Sequence, residues 1–190
     1  MLKGTRCETA KCPMEKQWRQ NPPGMHAYRR KGSGYALRLR EKQKVKRYYG
    51  VLERQFMTYF REAERGTGNT GSALLVLLER RLDNVVAKLG LAPSRRAARS
   101  MVVDGHIYVN GKRLDRPGYL VRQGDRISVK PSDRSRAMAR QWLEVFGSRP
   151  PQPWLQLNAE SLEGTVVSLP TRDDVQIPVE EHLIVEVCSR

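Results

Sequence analysis

Apolar residues recur in three stretches before residue 90, in the second and third at helical spacing. In "YALRLREKQKVKRYYG", Leu37, Leu39, Val45 and Tyr48 are interleaved with Arg38, Arg40, Lys42, Lys44, Lys46 and Arg47 until Gly50 breaks the run. In "VLERQFMTYFREAERG", Leu52, Phe56, Tyr59 and Phe60 share one side of a second helix that Gly66 closes. Aromatic residues at that spacing build a core far more often than they stack on bases. "TGNTGSALLVLLERRLDNVVAKLGLA" opens with turn residues and offers Ser72 as an N-cap. It then carries Leu74, Leu78, Leu82, Val85 and Leu89 in steps of four and three up to Gly90, which predicts one long helix. Arg80 and Arg81 stand off that stripe, where solvent and phosphate are equally open to them.

The pattern changes at Ser94, which is placed to cap a short helix. Ala98, Met101 and Val102 give that helix its buried side, and Gly105 stands where a left-handed residue ends it. Arg95, Arg96 and Arg99 are thereby left on the opposite side, with no carboxylate at i+3 or i+4 to neutralise the cluster until Asp104. Like charges so spaced repel by a few tenths of a kcal/mol per pair, so the cluster predicts a negative partner. "HIYVNGKRL" then alternates, with Asn110-Gly111 as a two-residue hairpin turn, and "YLVRQGDRISV" repeats strand, turn, strand around Gly124-Asp125. Lys112, Arg113, Arg116 and Arg122 lie on or near these turns, where a long cation reaches a phosphate without disturbing a core. Residues 134–147 predict another helix, buried through Met138, Trp142, Leu143 and Phe146. "SRPPQP" breaks the chain, and "GTVVSL" and "HLIVEV" read as strands in a tail that serves packing. The class is α+β.

Charge gives this skeleton a partner. The 190 residues carry a formal net charge of +15, far more than solubility needs, which points to a polyanion: nucleic acid or an acidic membrane surface. Residues 1–50 hold 14 Lys or Arg against 3 acids, whereas residues 151–190 hold 2 against 7. The positive field thus belongs to the earlier part of the chain. Residues 1–34, rich in Pro, Gly and cations, read as an irregular basic arm. Cys7, Cys12 and Cys188 cannot build a disulfide framework, and no apolar run has the length of a signal-peptide core or membrane span, so a cytoplasmic protein is expected. Glu8, Glu15 and Pro13 argue against an organelle transit peptide.

Catalytic chemistry is not visible. There is no Gly-rich phosphate loop after a strand, no G-x-S-x-G and no H-E-x-x-H. His26, His106 and His182 lie far apart without a nucleophile beside them, and Asp83 in "RLDN" reads as a helix-surface ion-pair partner. No small-molecule substrate is implied. Cys7-x₄-Cys12 supplies two zinc ligands where four are needed, with His26 as a third at best, so no metal or other cofactor is expected.

"LERRLDNVVAKLGLAPSRRAARSMVVDGHIYVNGKRLDRPGYLVRQGD" closely resembles the S4 RNA-binding module. The module alone also occurs in pseudouridine synthases and tyrosyl-tRNA synthetases. The flanks narrow the resemblance to the bacterial-type ribosomal S4 family: "YALRLREKQKVKRYYG" and "PPGMH" are similar to its N-terminal segment, and "IPVEEHLIVEVCSR" to its C-terminal end. The resemblance covers essentially the whole chain. It implies a helical domain over residues 35–78, completed by about 178–190, with an S4-type domain of helices on an antiparallel sheet inserted over 79–145 and extended by 146–177. It further implies a non-enzymatic constituent of the small ribosomal subunit that binds the 5′ domain of its rRNA, nucleates assembly and contributes to translational accuracy. Neighbouring small-subunit proteins and mRNA are the other implied partners. Some members bind zinc through four cysteines in the arm. Cys7 and Cys12 resemble the second pair, and the first would lie upstream of Met1.

Two faces are expected to hold RNA through phosphates, 2′-hydroxyls and shape. One comprises Arg95, Arg96 and Arg99 with Lys112 and Arg113 at the hairpin turn, and the other runs from Arg38 through Arg47. Arg80, Arg81, His106, Asn110, Arg116 and Arg122 complete the candidates. An RNA-modifying enzyme would need a catalytic domain for which the chain has no room. A membrane-surface protein would need exposed aromatics opposite lysines, whereas Trp142 and Phe146 fall on a core stripe.

Overall fold

Leucine drives both halves of the fold, and the place where its stripe changes cores divides them. The computed structural model describes residues 9–16, 21, 24–25, 32–146 and 152–189. Most of the basic arm, with Cys7 and His26, lies outside these residues. Helix α1 (Gly34–Tyr49) starts at Ser33, whose hydroxyl accepts the Ala36 amide, and stops at Gly50 in the left-handed conformation. Helix α2 (Glu53–Arg65) buries Phe56, Tyr59 and Phe60. Helix α3 (Thr70–Glu79) is capped by Asn69, whose Oδ1 accepts the Gly71 and Ser72 amides. The expected cap, Ser72, instead donates its hydroxyl to Glu181 at 2.9 Å. Leu74, Leu75 and Leu78 join Val45, Tyr49 and Phe60 in one core, each worth about 1.5–3 kcal/mol on burial.

"HLIVEV" is not a strand. It forms helix α7 (Glu181–Cys188), which packs on α1 and α3 and buries Ile184 and Cys188 in the same core. Gly71 permits that approach: a Cβ there would stand 2.6 Å from Cβ of Glu181.

The long helix predicted from Leu74 to Leu89 is two. After α3 the chain extends at Arg81 (φ −64°, ψ 136°), and α4 (Leu82–Lys88) begins. The break is stitched from a distant loop: Arg81 bridges Leu120, the Leu82 amide donates to the Tyr119 carbonyl, and the Val121 amide donates to that of Arg80. The leucine period runs through the break because both helices bury leucines. Leu82, Val85, Val86 and Leu89, however, enter a second core with Ile107, Ile127, Trp154 and Leu162.

That second core lies under α5 (Arg95–Val103), α6 (Asp133–Phe146) and a five-stranded antiparallel sheet. Ser94 caps α5 by accepting the Ala97 amide, and Gly105 follows it at φ +74°. Strands β1 (Ile107–Val109) and β2 (Lys112–Arg113) meet through Asn110 and Gly111, both at positive φ, as a two-residue hairpin turn requires. The second expected hairpin does not form, because Leu120 bridges Arg81 instead of pairing with the strand that follows. The turn at Gln123-Gly124 is ordered by Asp125, which accepts from the Arg122 amide, Tyr119 Oη and Asn110 Nδ2. Strand β3 (Arg126–Val129) pairs with β1 and with β5 (Glu163–Val166), and β4 (Leu155–Asn158) closes the order β2-β1-β3-β5-β4. On α6 it is Ser135 and Ala139 that are buried, with Met138 and Leu143 packed against the core and Trp142 half-buried. No helix among the described residues is long and apolar enough to cross a membrane.

Candidate nucleic-acid interface

Between the two cores lies a seam of charged and hydrogen-bonded side chains. Arg81, completely buried, sends Nε and Nη2 to the two Asp83 oxygens at 3.1 and 2.5 Å and Nη1 to Tyr59 Oη at 2.9 Å. Burial opposes its charge, but the Asp83 carboxylate outweighs that, so the guanidinium pKa is raised. Glu79, also buried, accepts from Tyr49 Oη at 2.7 Å and Asn84 Nδ2 at 2.6 Å and pairs with Lys88 at 2.9 Å. Burial and the adjoining carboxylate push the Tyr49 phenol far above its ordinary value, which keeps it a donor. Arg95 sits over the Tyr48 ring, 3.9 Å from its centroid, and donates through Nε to Asn84 Oδ1 at 2.7 Å.

Several expected RNA contacts are therefore absorbed by the fold. Arg81 is not open to solvent, and Asp83 is a buried partner, not a surface one. Arg80 is half-buried and donates to the Val121 carbonyl at 3.1 Å. His106 shares a hydrogen bond with Ser135 at 2.9 Å, and Asn110 braces its turn on Asp125 and the Arg126 amide. The uninterrupted face from Arg38 to Arg47 is also reduced. Arg38 pairs with Glu186 from α7, Lys44 meets Glu41 at 3.4 Å, and Lys42 and Lys46 each approach Glu53 at 2.5 Å. Arg40 and Arg47 stay exposed with no acidic partner among the described residues.

What remains free converges on the seam. One cleft is lined by Arg47, Tyr48, Arg95, Arg96 and Arg99 with Asp83 at its floor. A second is lined by Gln55, Arg81, Arg99, Arg116 and Tyr119, with the exposed Asp115 as its one carboxylate. Arg99 belongs to both and touches Asp83 only at 3.7 Å, with half its side chain exposed. Arg96, Lys112, Arg113, Arg116 and Arg122 are exposed. The Arg113 guanidinium lies over Gly105, where any Cβ would collide with it. Arg126 on β3, Lys130 just after it, and Arg134, Arg136 and Arg140 on α6 are exposed cations outside the expected set; their alternation with buried Ile127, Val129, Ser135 and Ala139 was the available signal. Tyr48, expected only as one of the apolar positions of α1, lines the first cleft.

A helical unit joined through a polar seam to helices on an antiparallel sheet, with unpaired cations around the join, defines an RNA-binding protein of the S4-domain class. A family model described as the ribosomal protein S4/S9 N-terminal domain matches residues 1–79, and one described as the S4 domain matches residues 80–127. The boundary between them is the break after α3. The protein named small ribosomal subunit protein uS4 from Halothermothrix orenii is 53% identical over 190 residues, covering 100% of this chain and 90% of its own length. That of Thermus thermophilus is 51% identical over 191 residues with the same coverage, and the uS4A protein of Symbiobacterium thermophilum is 51% identical over 190. The chain belongs to the uS4 family, and is a non-enzymatic structural constituent of the small subunit of the cytoplasmic ribosome.

Of the zinc pair suggested by the family, only Cys12 is described. It is buried, and no group of three or more His, Cys, Asp or Glu able to hold a metal forms among the described residues.

Proposed function

We propose that the protein binds the folded 5′ domain of small-subunit rRNA, laying it across the seam between its two domains, and that this contact nucleates subunit assembly. The observation that carries this reading is the convergence of free cations on the seam: Arg47, Arg96 and Arg99 around one cleft, Arg99 and Arg116 around the next. Phosphates fix register and carry no sequence information, so two cationic surfaces at a set angle select a shape, a junction of helices, and not a base sequence. Neither cleft offers the partly buried acid, base and nucleophile that an enzyme would need, and the reading requires no cofactor. Neighbouring small-subunit proteins and mRNA are further partners on this reading, which includes a contribution to translational accuracy.

The test is binding to a transcript of the 5′ domain in competition with excess tRNA at two salt concentrations. Binding that survives the tRNA is expected. Equal competition at both salts would reduce the protein to a general polyanion binder.

A further inference from the structure

Arg95 and Arg96 are neighbours in sequence and opposites in structure. Arg96 is exposed with no partner among the described residues. Arg95 is held on three sides: the Tyr48 ring at 3.9 Å, the Tyr49 ring at 5.7 Å and Asn84 Oδ1 at 2.7 Å. Asn84 is itself tied by Nδ2 to the carbonyl of Glu79 at 3.0 Å and to its carboxylate at 2.6 Å. Glu79 returns to α1 through Tyr49 at 2.7 Å. A closed circuit of directional contacts thus links α1, the end of α3, α4 and α5. Apolar contact is non-directional, whereas a stacked guanidinium that also donates along its own plane fixes an angle.

We propose that Arg95 is a positioning residue for RNA binding: clamped between Tyr48 and Asn84, it sets the angle between the two domains before RNA arrives, and acts through that angle and not through a phosphate. This rests on the reading that the protein binds folded rRNA with both domains. A partner that engages both surfaces loses affinity when their relation is no longer fixed, because binding must then order it. A polyanion that engages either surface alone loses nothing. The contact also demands arginine specifically, since lysine keeps the charge but has neither the planar stack nor the Nε–H donor.

Full-length Arg95→Lys, Arg95→Ala, Tyr48→Leu and Tyr48→Phe are compared with the unaltered protein on the 5′-domain transcript and on tRNA over a salt series. Residual dipolar couplings of the free proteins report the angle between domains. Arg95→Lys and Tyr48→Leu are expected to weaken transcript binding about 5- to 20-fold, the lower part of the range of a coupling between sites. Their salt slopes and tRNA affinities should stay unchanged, and the couplings of the two domains should no longer fit one alignment. Tyr48→Phe keeps the ring and should keep the couplings of the two domains on one alignment. Wild-type transcript affinity in Arg95→Lys, with a slope reduced by roughly 0.7 to 0.9 in Arg95→Ala, would make Arg95 a phosphate contact and overturn the proposal. So would wild-type binding by folded Tyr48→Leu. If Tyr48→Leu does not fold, Arg95→Lys against Tyr48→Phe decides. If the unaltered protein fails to prefer transcript over tRNA, the rRNA reading falls, while the couplings still decide whether Arg95 sets the angle.

Discussion

Helix α1 and the segment from Arg95 to Arg122 are both densely cationic in sequence, and the structure treats them in opposite ways. On α1, four of the six cations between Arg38 and Arg47 meet carboxylates, and two of their three partners come from elsewhere, Glu53 on α2 and Glu186 on α7. The second segment's own acids, Asp104 and Asp115, are exposed and meet none of its cations among the described residues, while the acids that flank it face inward. Asp83 holds the buried Arg81 and Asp125 organises a turn, which leaves Arg96, Lys112, Arg113, Arg116 and Arg122 unpaired. Charge density along a chain therefore says little about field at a surface. What decides is where the fold sends the acids.

The contrast can be broken most forcefully from beneath. Arg81→Ala leaves Asp83 buried without its partner and is expected to cost about 3–5 kcal/mol, read from the urea midpoint at unchanged m-value. A loss below about 1 kcal/mol would mean the seam relaxes easily and is no rigid floor. Next comes the surface itself. Replacing Arg96, Lys112, Arg113 and Arg116 together by Ala should flatten the salt dependence of RNA binding by roughly 0.7 to 0.9 per lost phosphate contact, with stability nearly unchanged. Replacing Lys42, Lys44 and Lys46 should leave that slope almost where it was. Equal slopes in the two sets would erase the distinction between the regions.

A smaller effect is expected at Gly105→Ala, where φ of +74° alone costs a side chain about 1–2 kcal/mol and the new methyl displaces the Arg113 guanidinium. Thermal unfolding measures the first effect and the salt slope the second. The smallest effect concerns Glu53, whose carboxyl is held below its ordinary value of 4.5 by hydrogen bonds from Lys42 and then Lys46. A depressed folded value means that this contribution is present above the unfolded pKa and is lost as pH falls through the folded one. Glu53→Gln should therefore flatten the stability profile below about pH 4.5 and leave the shape of the profile above it unchanged. An unaltered profile on the acid side would show the two lysines to be solvated.

Much of the fold was legible where the deciding forces are local. Ser94 and Gly105 bracket α5, and Asn110-Gly111 closes its hairpin, because caps and positive-φ turns depend on residues a few positions apart. The break at Arg81 was hidden because the leucine period continues across it, and the loop that stitches it arrives from Tyr119 to Val121. Helix α7 read as a strand because Ile184, Val185 and Val187 favour extended chains locally; packing on α1 and α3 overrides them. The candidate surface followed the same rule. Arginines that stayed outside were identifiable from their helix or turn position, whereas the fate of Arg81 and Arg95 depended on Tyr59, Tyr48 and Asn84, whose proximity only the tertiary fold creates.

The contact between α7 and α3 also sets an order of events during synthesis. The helical core that opens the chain needs Ile184 and Cys188, and Ser72 finds Glu181 only 109 residues later. At about 5–20 residues per second, α1 to α3 wait several seconds with one side uncovered while the sheet domain between them and α7 emerges and closes on its own core. The unit translated first is thus finished last, and folding proceeds from the middle of the chain outward.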